Sequence, residues 1–81
     1  MPRNLAPVVM VSSNNGFMAN QRVVGQDVEA SPPQHYTGRI SSVWSDGTAI
    51  VNWDYALNAQ AERHLVQSGR VRLHHLNRAA S

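Results

Sequence analysis

Tyr36-Thr37-Gly38-Arg39-Ile40-Ser41-Ser42-Val43-Trp44, then Ser45, Asp46-Gly47 and Thr48-Ala49-Ile50-Val51-Asn52-Trp53, is the stretch that decides the fold. Its two arms are rich in β-branched and aromatic residues, and an Asp-Gly pair supplies the positive φ values of a two-residue type I′ turn. The stretch therefore predicts a hairpin. With Asp46 and Gly47 at its tip, Ser45 faces Thr48, Trp44 faces Ala49, Ser42 faces Val51 and Ile40 faces Trp53. Strand side chains alternate, so one face carries Gly38, Ile40, Ser42, Trp44, Ala49, Val51 and Trp53 and is assigned to the core. Thr37, Arg39, Ser41, Val43, Ile50 and Asn52 fall on the other. Val43 and Ile50 form an apolar pair on that outer face, an expected contact for the N-terminal segment or a second subunit.

Working outward, a strand is predicted from Arg22 to Ala30, with Gly25 allowing a bend or bulge. Ser31-Pro32-Pro33-Gln34 ends it, because neither proline donates to a ladder. Beyond the hairpin, Asp54 to Ala61 reads as a loop with helical leanings, Glu62 to Gln67 as a strand and Ser68-Gly69 as a turn. Arg70 to Leu73 reads as the last strand, and His74 to Asn77 as a short 3₁₀ turn. Residues 1–20 are expected to be a partly disordered leader with strand character at Val8 to Val11. The alternative is a second hairpin about Asn15-Gly16. The barrel is placed at 21–78, and 79–81 are expected to fray. The resulting fold class is all-β, a small five-stranded barrel with a flexible or strand-forming N-terminal segment.

Eighty-one residues make one domain, and a chain of this size buries only about 60% of its unfolded surface, which favours reinforcement by a partner subunit. Cysteine is absent, excluding disulfides, thiolate catalysis and cysteine-bound zinc. All seven basic side chains are arginines, against five acids, for a formal charge of +2. Arginine's planar fork of donors suits phosphate and stacks on rings. No apolar run approaches the roughly 20 residues of a transmembrane helix. Pro7 to Val11 is too short for a secretory signal. The expected location is the cytoplasm, without membrane contact.

The Gly38-x-Ile40, Asp46-Gly47 and Val51-x-Trp53 core, with Val43 between its arms and the terminal Val71-x-Leu73-x-x-Leu76, resembles the SH3-like barrels, especially Tudor-like and KOW-type domains. The resemblance covers roughly the last 60 residues, the size of such a barrel. It implies binding to nucleic acid, ribosomal partners, methylated side chains or peptides. A weaker similarity, in length, leader and fold, links the chain to the plasmid-borne type II dihydrofolate reductases. Their pore strand carries Val-Gln-Ile-Tyr, where this chain has Val71-Arg72-Leu73-His74 and no lysine.

The expected function is that of a non-catalytic binding module for nucleic acid. Arg39, Arg63 and Arg72, if they point outward from neighbouring strands, form a stripe that tracks phosphates. Tyr36 and Tyr55, at strand ends, stack bases. The alternative is a protein-interaction or homo-oligomeric module using Val43 and Ile50; a reductase-like enzyme is third. His35, His64, His74 and His75 lack metal-ligand spacing. The chain also has no nucleophile elbow, no phosphate-cradling glycine loop and no spaced carboxylate pair, so neither a metal, a cofactor nor catalysis is expected.

Overall fold

The computed structural model describes residues 7–79; the expectations for 1–6 and 80–81 lie outside it. The elements are β1 (Met10–Val11), β2 (Ser13–Asn14), β3 (Phe17–Met18), β4 (Arg22–Asp27), β5 (Gln34–Trp44), β6 (Thr48–Trp53), α1 (Ala59–Leu65), β7 (Val66–Gln67), β8 (Arg70–Arg72), a 3₁₀ turn (Leu73–His75) and β9 (Leu76–Arg78). An antiparallel sheet in the order β7-β8-β6-β5-β4-β9, with β1 added to β5, curls into a half-barrel. The all-β class and the curled architecture follow the sequence expectation and are compatible with an SH3-like barrel.

Alternation writes the two faces of this sheet. Val23, Gly25 and Asp27 of β4 are buried, and Arg22, Val24 and Gln26 between them are not. Their register partners continue the inner face through Gly38, Ile40, Val51 and Trp53. Val71 on β8 and Leu76 on β9 complete it. Trp53 is accommodated by two glycines. A Cβ at Gly25 would lie 2.5 Å from the Trp53 ring, and one at Gly38 only 2.8 Å from Val51 Cγ1 and 2.7 Å from the Asn52 carbonyl. Gly25 therefore provides close approach within a regular strand, where a bend was expected.

The hairpin departs from the expected register in two places. Gly47 N–H donates to the Trp44 carbonyl at 3.1 Å. Gly47 has φ +83, and Asp46 is not among the positive-φ residues. The loop is thus three residues, Ser45 to Gly47, a type I turn closed by a glycine bulge in place of the two-residue type I′ turn. Asp46 Oδ1 accepts from Thr48 N–H and hydroxyl at 3.2 and 2.6 Å, fixing that turn. A second irregularity falls between Ile40 and Ser42. An inserted residue reverses the sense of alternation beyond it. Consequently Val43 pairs with Ala49 and is 1% exposed, in the core, while Ser42 and Trp44 fall on the other face, where Ser42 is still buried and bonded to the half-buried Trp44. The outward pairing of Val43 with Ile50 is corrected accordingly: Ile50 lies opposite Ser42.

The expected strand Glu62–Gln67 is largely the helix α1. Ala59, Gln60, Ala61, Glu62, Arg63 and Leu65 include strong helix formers. Asn58 caps the helix, its Oδ1 accepting from Ala61 N–H at 2.7 Å. Ala61 and Leu65, four residues apart, are the buried positions. Val66–Gln67 alone remains strand. It joins β8 through Ser68 and Gly69, both at positive φ. The 3₁₀ turn forms one residue earlier than expected. Leu76 to Arg78 then pair with β4, so Arg78 is held in the sheet.

From Pro7 onward the Asn15-Gly16 turn forms, but with arms of only two residues each, and Met10–Val11 pairs with β5 rather than with the segment after the turn. Asn15 and Gly16 have φ 53 and 84, joining β2 to β3, while Val11 sits opposite Val43. Asn14 Nδ2 donates to the Trp44 carbonyl at 3.0 Å, which ties the small hairpin to β5.

Candidate nucleic-acid interface

Four arginines stand on the outer face because each occupies a register position paired with an outward residue. Arg22 lies opposite Arg39, and Arg39 also faces Asn52 on β6. Arg72 faces Thr48 on β6, and Arg70 is two residues earlier on the same side of β8. Like charges directly opposite repel, and the Arg22–Arg39 pair is relieved locally. Arg22 makes two bonds to the Asp54 carboxylate at 3.1 and 2.9 Å. Arg39 Nη1 donates to the Asn20 carbonyl at 3.0 Å. Asp54 also accepts from the Thr37 hydroxyl at 2.6 Å. That bond foremost, with the Arg22 guanidinium second, holds its carboxyl below the ordinary value.

At the other end of the face the bulge turns Trp44 toward β8. Its Nε1 donates to Ser42 Oγ at 3.0 Å, and the Arg70 guanidinium lies 4.3 Å from its ring centroid. A guanidinium over an indole face is attracted by the ring quadrupole. Asp46 holds the other side of Arg70 at 3.7 Å. Beside this stack, Asn15, Thr48, Arg70, Arg72 and His74 border an open cleft of about 820 Å³. Arg72 Nη2 is steadied by Gln67 Oε1 at 3.1 Å.

Of the residues singled out from the sequence, Arg72 and Arg63 come together. Arg63 projects from α1 rather than from a strand, and the two border a second concavity with His64, Gln67 and His75. Arg39 is on the same face as Arg72, but β6 lies between their strands. Tyr36 pairs with Gly25 on the inner side, and its hydroxyl accepts from Asn58 Nδ2 at 3.1 Å, anchoring the start of α1. Tyr55, in the loop after β6, is 84% exposed. Val43 is interior and presents no surface. Sequence reasoning missed Trp44 and Arg70 as a pair because it placed Trp44 inside. The signal was Val43 itself, an aliphatic side chain assigned to solvent beside a core-assigned serine.

Sequence reasoning also missed Asp27, which is 2% exposed and accepts from His64 Nδ1 at 2.7 Å and from Glu29 N–H at 3.2 Å. Among the described residues, no group of three or more His, Asp or Glu side chains is placed to hold a metal. Nor is any helix long and apolar enough to cross a membrane. No protein-family model, no curated protein and no solved structure matches the chain.

Proposed function

We propose that this protein is a binding module for single-stranded nucleic acid, using the outer face of β5, β6 and β8. The observation that carries the reading is the Arg70 guanidinium stacked on Trp44 beside an open cleft bordered by Arg72. A base stacking on an aromatic or guanidinium plane gains roughly 1–3 kcal/mol, and arginines along the groove meet the phosphates. Arg39 and Arg63 extend the phosphate contacts to either side, and Tyr55 offers a further exposed ring. The similarity to Tudor-like and KOW-type barrels supports a binding role of this kind. The test is fluorescence anisotropy with labelled single- and double-stranded DNA and RNA across salt concentrations. Affinity should fall linearly on logarithmic axes, with Arg70→Ala lowering the single-strand slope by about 0.7. Unchanged affinity in an Arg39, Arg63 and Arg72 triple alanine variant would overturn the proposal.

A second reading, self-association, rests on exposed Val8, Val9, Met10 and Met18 in the N-terminal hairpin region and on half-buried Ile50. Sedimentation velocity decides it: a mass above the monomer that reverts with Ile50→Arg supports it, and a monomer at high concentration excludes it.

A further inference from the structure

We infer that the concavity bordered by α1, β7–β8 and the 3₁₀ turn is a binding site for a phosphate monoester, with Arg63, His64, Arg72 and His75 as its anion-facing groups. The site, about 430 Å³, is separate from the Arg70–Trp44 cleft and shares Arg72 and Gln67 with it. It shares Arg63 and Arg72 with the phosphate contacts of the proposed function but needs neither Arg39 nor the Arg70–Trp44 stack.

Two features make it a built site. The first is the way His64 is held. Its Nδ1 meets the buried carboxylate of Asp27 at 2.7 Å, which leaves Nε2 on the side of the exposed Glu29; with the ring protonated, that nitrogen is the N–H that donates to an anion. A carboxylate behind an imidazole fixes ring orientation and tautomer. The second is the convergence of Arg63, Arg72 and His75 on one concavity. Burial is the main reason that the His75 pKa lies below the ordinary value, with His74 and Arg72 adding to it, so the permanent positive charge at the site is that of the two arginines. Arg72 is also steadied at the rim by Gln67. A terminal phosphate, carrying between one and two negative charges near neutral pH, suits such a cluster.

The acids facing these groups are Asp27 and Glu29. Asp27 is engaged behind His64, and Glu29 places a carboxylate oxygen 3.9 Å from His64 Nε2 while remaining 67% exposed. Glu29 therefore stands as an internal anion where the phosphate would bind, on a side chain free to swing away.

The test is an NMR titration of the His64 and His75 ring signals at constant ionic strength. The probes are inorganic phosphate, a dinucleotide with a terminal phosphate, and the same dinucleotide without it. Saturable shifts at both rings are expected, weakened roughly tenfold by Arg63→Ala and tightened by Glu29→Gln. Preference for the phosphorylated dinucleotide over inorganic phosphate assigns the source as a nucleic-acid end. Equal affinity for the two assigns a free phosphorylated small molecule, and either supports the site. Shifts no different from those produced by chloride, or insensitive to Arg63→Ala, overturn it. Arg63 is exposed on α1, so its truncation leaves the core intact; loss of binding with a native amide spectrum is attributable to the site.

Discussion

Asp27 and His64 meet at 2.7 Å across the seam where α1 lies on β4. The carboxylate is 2% exposed, and its other partner is the Glu29 amide. The contact thus acts as a polar pin between helix and sheet, in a domain with little core to spare.

Removing the imidazole strands a buried charge, which costs about 3 kcal/mol. His64→Ala should therefore lower the urea midpoint far more than an exposed helix substitution such as Arg63→Ala. Asp27→Asn keeps the shape and removes the charge, so it should cost less, about 1–2 kcal/mol. The double variant should fall short of the sum of the singles, the mark of a direct interaction.

The glycines beneath Trp53 give a second prediction. Gly25→Ala and Gly38→Ala each place a methyl group where no space exists, and overpacking of this kind costs about 1–3 kcal/mol. Thermal unfolding should show both below wild type. Gly25→Ala combined with Trp53→Leu should recover part of the loss, because the smaller side chain vacates the space that the methyl enters.

Arg70→Lys separates charge from stacking on the outer face. Lysine keeps the phosphate attraction and loses the planar stack on Trp44. The expected result in anisotropy is an unchanged salt slope with weaker binding at every salt concentration. Arg70→Ala should reduce both.

Two groups set the pH response. Asp54 titrates below the ordinary value when folded. Its contribution is therefore complete above the unfolded value near 3.8 and is lost as pH falls through the lower folded one. Thr37→Val and Arg22→Ala should each move the Asp54 carboxyl titration upward. His75 has the opposite consequence. The unfolded chain protonates first as pH drops below 6.5, so the folded state loses stability through that window and is unaffected by this group above it. His75→Gln should flatten that part of a urea-midpoint profile against pH.

Much of the fold was legible because β4, β6 and β8 carry their inner residues at strict two-residue spacing. The Ser68-Gly69 turn was equally plain, whereas Asn15-Gly16 was legible only as an alternative, because Phe17-Met18-Ala19-Asn20-Gln21 is a poor strand. One strand misled. In β5 the pair Ser41-Ser42 offers no apolar contrast, so the serines themselves do not reveal that a residue is inserted there. Yet that insertion decides whether Val43 or Trp44 enters the core. The helix was legible only as helical leanings in the Asp54 to Ala61 loop, and its second half was read as strand, because Asp54 and Asn58 are both competent caps and only the packing of Ala61 and Leu65 fixes where the helix runs. Arg63 and Arg72 could be suspected individually. Their neighbourhood could not, since it depends on α1 folding back over the end of the sheet. Asp27 looked like any strand-end acid until its distant partner His64 was placed.

The irregularity between Ile40 and Ser42 also bears on how this chain avoids its own kind. An eleven-residue strand is a long hydrogen-bonding template, and an open one recruits strands from other molecules. Here β5 changes neighbours along one edge. Gln34 to Arg39 are paired by β4, Ile40 exchanges bonds with Asn20 and Gln21, and Val43 and Trp44 are covered by β1, with Val9 closing on Ser45. The stretch from Val9 to Gln21 is thus a protective sleeve for that edge. A chain shortened to begin at Arg22 would expose the far half of β5, with Val43 at its centre, as a ready seed for cross-molecular β-association.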